Sequence, residues 1–441
     1  MKKILLLFVA IMMASTGLWA QERKEVSYLY PVYNTEDVPA SGIKEWKTAE
    51  RDADILTSSD SQVTLSNQWY VITGDNVTYA KGLVCKGNVN LILADGATLI
   101  ATGDENSAGI QVSGEGNSLT IYGQDKQLGK LFATSGANAA GIGGGSGGDG
   151  SNITINGGTV VTNGGNNAAG IGGGKAGSGS NIIINGGTIT ANGGSGASGI
   201  GSGYYRSGSN IIINGGTITA NGGSGASGIG GGEGGSSLNI FVATDLIIKA
   251  DYNNPLETVI TNTGDDLAGS LAGKRYVNIE IDLNVLKNKA IGEINKAIDG
   301  VTDEDVRAIA NTAITDISNA TSKEDINSIK TFALTKINAI AEILSASQGI
   351  KNAELNAWID AAIKEIKIGS QEAEPSIDDI KDQILYMINL FQDGKAEGKA
   401  DLLGTMATEQ DGPAVEVIKG EKKVILYSPD KVNFIKVETE N

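Results

Sequence analysis

The chain has 441 residues, with 34 basic and 51 acidic side chains, a formal net charge of −17, and no histidine. That balance argues against binding nucleic-acid backbones, which needs clustered Lys and Arg. The missing imidazole removes Ser-His-Asp and Cys-His nucleophile activation, His-based zinc sites and imidazole proton relays.

At the N-terminus, Lys2 and Lys3 precede an apolar run over 4–13, and small and polar residues then lead to Leu18-Trp19-Ala20. This is the pattern of a secretory signal peptide cut after Ala20. The run is shorter than the ~20 residues a membrane span needs. No later stretch could cross a bilayer, so the expected mature protein has no membrane span. The expected location is secreted or extracytoplasmic, at the cell surface or in the periplasm. Outside the cytoplasm a disulfide would be allowed, yet Cys85 is the single cysteine. Packing must therefore hold the fold. Residues 21–65 read as an N-terminal cap or leader.

A 29-residue unit governs the middle of the chain. Ile142, Ile171, Ile200 and Ile229 keep that spacing, as do Ile153, Ile182, Ile211 and Ile240, and Val160, Ile189, Ile218 and Ile247. A fixed period with apolar residues in register marks a solenoid, whose units bury their apolar sides only against neighbours. Ile153 and Ile155 alternate with period two, which predicts strand. Asn156-Gly157-Gly158 tolerates positive φ and predicts a sharp turn. Three short strands and three turns make one rung, and stacked rungs make a parallel β-helix. We take the right-handed form common to crossover connections. Ala139, Ala168, Ala197 and Ala226 form a further inward column, as do Ile155, Ile184, Ile213 and Val242. Asn152, Asn181, Asn210 and Asn239 superpose as a structural amide ladder. Looser rungs are expected earlier, at Leu91/Leu93 with Leu99 and at Leu119/Ile121 with Leu131. A closing rung is expected at Leu246-Ile247-Ile248, and the solenoid is bounded at 66–281.

The order of Trp69-Tyr70-Val71-Ile72, Leu91-Ile92-Leu93-Ala94-Asp95-Gly96-Ala97-Thr98-Leu99 and Asn117-Ser118-Leu119-Thr120-Ile121-Tyr122-Gly123-Gln124 is specific. Ala-Gly-Ile-Gly-Gly-Gly and Ile-Asn-Gly-Gly-Thr repeats follow it. Together they resemble bacterial secreted β-helix proteins of the carbohydrate-binding-domain or adhesin-like group, over about residues 60–250. The resemblance implies a β-helix and surface binding, and carries no catalytic motif.

The chemistry of the repeat points the same way. Glycoside hydrolysis wants two carboxylates about 5–9.5 Å apart. From Gly136 to Ile240 the only acids are Asp149 and Glu233. They lie three rungs apart, or ~14 Å at the ~4.8 Å strand spacing. A lyase would need a calcium cluster beside a base, and Lys175 and Arg206 have no such neighbours in sequence. Acids of the earlier rungs, for instance Asp95 or Asp104, are the remaining route to catalysis. No catalytic residue, metal site or cofactor is assigned. One loop varies while the framework stays constant: Ser146 to Asp149, Lys175 to Ser178, Tyr204 to Ser207, and Glu233 to Ser236. Variation along one edge of a rigid scaffold is how solenoids present a recognition surface. Tyr204 and Tyr205 suit sugar C–H faces and hydroxyls, and Arg206 suits an acidic group. The candidate ligand-binding residues are thus Tyr204, Tyr205, Arg206, Lys175, Asp149 and Glu233. Thr154, Ile183, Ile212 and Phe241 face outward on the neighbouring strand, so a further part of the chain, or else a ligand or partner, is expected to lie over them.

Composition changes after Ile281. Over 282–345 three amphipathic helices predict an up-down-up bundle, with Asp282, Thr302 and Ser322 at their starts. Ala290-Ile291, Ala313-Ile314 and Ala333-Leu334, each followed by an isoleucine three residues on, resemble three-helix spacer modules of cell-wall adhesins. Additional helices are expected over 346–404, at about 351–367 and 376–393, the second capped by Ser376. A short C-terminal β-meander is expected within 405–441. The expected function is a secreted, non-enzymatic binding protein for a polysaccharide or a host or cell-surface glycan. The alternative is a structural or assembly protein with a protein partner at the helical region or the meander. A polysaccharide lyase or hydrolase ranks third.

Overall fold

The structure is a computed structural model that describes residues 23–33, 43–254, 256–370, 375–392, 414–419, 422–427 and 435–438. The expected leader at 1–20 lies outside the described residues. The chain divides into two compact units after Asp282.

In the first unit each repeat folds as a two-residue, a six-residue and a five-residue strand, for example Ile142–Gly143, Gly150–Ile155 and Thr159–Asn163. Equivalent strands pair in parallel and in register, with Ile142 on Ile171, Ile153 on Ile182 and Val160 on Ile189. Three sheets therefore run the length of a parallel β-helix of about six turns. The alanine column and the isoleucine columns through Ile229, Ile240 and Val242 are fully buried. Asn152, Asn181 and Asn210 adopt positive φ and interrupt each six-residue strand between its paired halves. Their amides link rung to rung, Asn181 donating to Asn152 at 3.2 Å and Asn210 to Asn181 at 2.6 Å.

The earlier rungs correct the expected pairing by two residues. Leu91 stacks on Ile121, and Leu119 stacks on Val89 and Ile153. The solenoid also starts earlier than expected, because Val63–Ser66 already pairs with Leu83–Lys86.

The closing rung departs from the repeat. Leu246, Ile248 and Ala250 are buried, while Ile247 is only half-buried, one residue out of the expected column. Nor does Leu246–Asp251 lie on Thr217–Asn221. Strand Tyr276–Ile281 inserts antiparallel between them, pairing Ile279 with both Ile218 and Ile248. The reason is that an exposed parallel edge templates further pairing, and a returning strand closes it. On the adjacent sheet, Asp266 accepts the Asn239 and Ile240 N–H groups at 3.2 and 2.8 Å. A helical turn α1 (Ala268–Leu271) sets Leu271 against the last rung.

Strands β1 (Arg23–Tyr33) and β2 (Ile43–Ile55) form an antiparallel ribbon within the region expected to be the cap. Only the end of β2 pairs as a strand with the solenoid, through Asp54 and Ile55 beside Tyr70 and Val71, while Leu29 N–H of β1 donates to Gly123 O at 3.0 Å. The ribbon then lies along the outside of the rungs. Tyr28 packs against both Trp69 and Tyr122, with ring centroids 4.6 and 4.8 Å away, and those two rings stack on each other at 5.0 Å. Further along, a β-carbon on Gly186 would meet the Trp46 ring at 3.1 Å, and one on Gly215 would lie 3.8 Å from Ile43 Cδ1. A glycine column therefore makes the track in which the ribbon sits. The outward residues Ile183, Ile212 and Phe241 beside that track stay half-buried.

The second unit contains α2 (Leu283–Ala297), α3 (Glu304–Asn319), α4 (Lys323–Ala346), α5 (Ala353–Ile368) and α6 (Ile377–Gln392). Buried Ala290, Ile294, Val306, Ile317, Ile326 and Ile337 supply the helical spacing that the sequence shows. Ser322 caps α4 by accepting Asp325 N–H at 3.0 Å, and Ser376 accepts Asp379 N–H at 3.2 Å. The cap of α3 is Asp303, which accepts Val306 N–H at 2.9 Å, and not Thr302. Asp and Thr both cap well, so two adjacent candidates left the register open by one residue. Strands Ala414–Lys419, Lys422–Tyr427 and Ile435–Glu438 pair antiparallel as the expected meander.

Candidate functional site

The variable loops stack on one edge of the solenoid because their backbones bond to each other. Gly147 N–H donates to Lys175 O at 3.0 Å, and Tyr205 N–H donates to Glu233 O at 3.0 Å. Ser146, Lys175, Tyr204 and Glu233 thus share one position on four rungs. Gly147, Ala176, Tyr205 and Gly234 share the next, and all four have positive φ, from 54° to 73°. Glycine meets that requirement without strain, whereas a bulky aromatic there is an outlier.

Tyr205 is nevertheless 63% exposed. Its ring lies 4.0 Å from that of Tyr204 at an angle of 50°. Two glycines, not singled out in the sequence, make the seats. A β-carbon on Gly234 would meet Tyr205 Cδ1 at 2.5 Å, and one on Gly196 would meet Tyr204 Cδ2 at 2.4 Å. The same point over Gly196 is 3.2 Å from Glu233 Oε2, so the Tyr204 ring and the Glu233 carboxylate converge there. Their loops lie on adjacent rungs, so only a 29-residue alignment of glycines against aromatics could have shown this. A hydrogen bond with Tyr205, partial desolvation and the nearby Tyr205 and Glu233 push the Tyr204 phenol up to about 12. It is neutral at physiological pH.

The other candidates separate by role. Arg206 is exposed, and its Nε donates to Ala176 O at 2.8 Å, which ties the guanidinium to the rung of Lys175. Lys175 is exposed beside it. Asp149 is built into the scaffold, its Oδ1 accepting Ser178 N–H at 2.6 Å. Ser207 does the same work for Ser236 N–H at 3.1 Å. The structure thus brings together Tyr204, Tyr205 and Glu233, with Arg206 and Lys175 adjoining, while Asp149 lies three rungs from Glu233.

The acids of the earlier rungs are also engaged. Asp95 accepts Lys126 and Leu128 N–H at 3.2 and 2.9 Å. Hydrogen bonds from Ser107 and Asn106 hold the Asp104 carboxyl below the usual carboxylate range, which suits a turn anchor and opposes a general acid. Among the described residues no group of three or more Cys, Asp or Glu is placed to hold a metal ion. No helix among them is long and apolar enough to cross a membrane.

Residues 153–175, 182–204 and 211–233 match the family model described as Beta helix repeat. Each match starts at the first buried isoleucine of a six-residue strand and ends at Lys175, Tyr204 or Glu233 on the variable edge. The match and the three parallel sheets agree on a β-helix fold for the first unit. No curated protein and no solved structure matches the chain.

Proposed function

We propose that this is an extracytoplasmic, non-enzymatic binding protein that engages a polysaccharide or cell-surface glycan along its variable loop edge. One observation carries the reading. Tyr205 is a large, exposed aromatic held at a positive φ where two of the other three rungs have glycine. Strained residues of this kind cluster at ligand sites, and folding alone gives no reason to keep one. Tyr204 and Tyr205 offer an apolar face flanked by hydroxyls, which suits a pyranose ring. Arg206 and Lys175 on one side and Glu233 on the other supply charged hydrogen-bonding groups.

A glycan array probed with the 21–441 protein tests this. Binding to a defined glycan set is expected, with loss in Tyr205→Gly and in Tyr204→Ala although neither melts markedly below the parent. Binding that survives both substitutions would overturn the assigned edge. A protein that binds no glycan favours the assembly reading, to which the half-buried ladder of Ile183, Ile212 and Phe241 lends support.

A further inference from the structure

The helical unit contains a cleft of about 470 Å³ between α3 and α4, with Lys367 near the C-terminus of α5 also on its lining. Its wall is mostly apolar, with Ile309, Ala313, Ile329 and Phe332 forming much of it. That volume lies in the range of sites for small organic ligands.

Lys336 gives the cleft its chemistry. It is only 9% exposed, although lysine is almost never buried without a partner. Its ammonium lies 4.5 Å from the centroid of the Phe332 ring and donates one hydrogen bond, at 2.9 Å, to the Lys367 carbonyl. A helix-terminal carbonyl and an aromatic face soften the charge but do not neutralise it. Among the described residues no carboxylate lies within ion-pair distance of Lys336. An ammonium carries three N–H donors, and a buried cation without a counter-ion is costly. Burial lowers its pKa from the ordinary lysine value, as desolvation without a counter-ion does. The nearest cation, Lys367, is already paired with Asp305.

We infer that this cleft binds a small organic monocarboxylate, its apolar body against Ile309, Ile329 and Phe332 and its carboxylate on Lys336. One further feature narrows the class. Asp316 on the same wall repels a second negative charge, so a phosphate ester or dicarboxylate fits worse. The cleft lies wholly within the helical unit, which separates this site from the loop edge of the first unit.

Calorimetric titration of the 21–441 protein with octanoate tests the assignment, with 1-octanol as the uncharged probe. Octanoate should bind saturably at one site, and octanol about tenfold or more weaker, as expected for a hydrogen-bonded charge contact. Lys336→Met should reduce octanoate affinity by at least about tenfold. Because Lys336 also bonds the end of α5, that variant is read beside Asp316→Asn. The latter removes only an exposed charge and should raise octanoate affinity about twofold to threefold. Absence of saturable octanoate heat overturns the proposal. So do equal affinities for octanoate and octanol, or an Asp316→Asn protein that binds no better than the parent. Glycan binding is untouched by any of these outcomes.

Discussion

Asn185 donates its side-chain amide to Asn156 Oδ1 at 2.7 Å and accepts from Asn214 Nδ2 at 2.9 Å, and all three amides are buried. This is a second ladder, beside the one through Asn152, and a third runs through Asn163, Asn192 and Asn221 at 2.9 and 2.8 Å. The first ladder interrupts the six-residue strands, the second follows them and the third ends the five-residue strands, so amides tie turn to turn at three places on the rung.

Burial makes the three ladders unequal. Asn185→Leu strands Asn156 Oδ1 and Asn214 Nδ2 without water, and should destabilise the solenoid by about 2–4 kcal/mol. Asn192→Ala, on the exposed ladder, should cost under about 1 kcal/mol because water replaces the lost amide. Chemical denaturation of both variants decides it, and equal losses would contradict the ranking.

Thr162 is fully buried between Ala133 and Ala191 in its column, and its hydroxyl has no hydrogen-bond partner. Thr162→Val keeps the volume and removes the stranded group. A gain of about 1–2 kcal/mol is expected, read as a higher denaturation midpoint at constant m-value. A loss of stability would mean that the hydroxyl is satisfied in solution.

Tyr205→Gly restores the residue found at the same place in the loops of Asp149 and Glu233. Relief of the positive φ is worth about 1–2 kcal/mol, offset by lost contact with Tyr204. The variant should therefore melt at or above the parent temperature. Marked destabilisation would show that the tyrosine serves the scaffold and not a ligand.

Cys85 is 1% exposed, and burial pushes its thiol up to about 12 from an ordinary value near 9. The folded thiol stays neutral while the unfolded one ionises, so this contribution to stability is full below about pH 9 and declines from there toward about pH 12. At pH 8 a disulfide reagent should react only as fast as the solenoid opens. Immediate stoichiometric labelling of the native protein would refute the burial.

The repeat made most of this architecture readable, because Ile153, Ile182 and Ile211 can occupy the core only if one turn lies above another. Reading failed where the period stops. Nothing local marks Tyr276–Ile281 as the partner of Thr217–Asn221, since the pairing is antiparallel and spans a long loop. The outer ribbon was equally hidden: Trp46 finds its seat on Gly186 through a distant contact that no periodicity encodes. At the candidate edge the two tyrosines stood out by composition. The convergence of Tyr204 with Glu233 over Gly196 depends on the stacking of separate rungs. Asp149 looked chemically free and is instead bonded to the Ser178 amide of the next turn.

The solenoid is stopped at its far end by Asp266 and Tyr276–Ile281, which owe nothing to the repeat. Its length is therefore not fixed by the caps. Residues 178–201 and 207–230 are identical, so a copy gained or lost between them would leave both ends intact. Each event would extend or shorten the prism by about one strand spacing, ~4.8 Å, and add or delete one ledge of the rim. The height of the variable edge is thus a quantity that evolution can count out in whole turns.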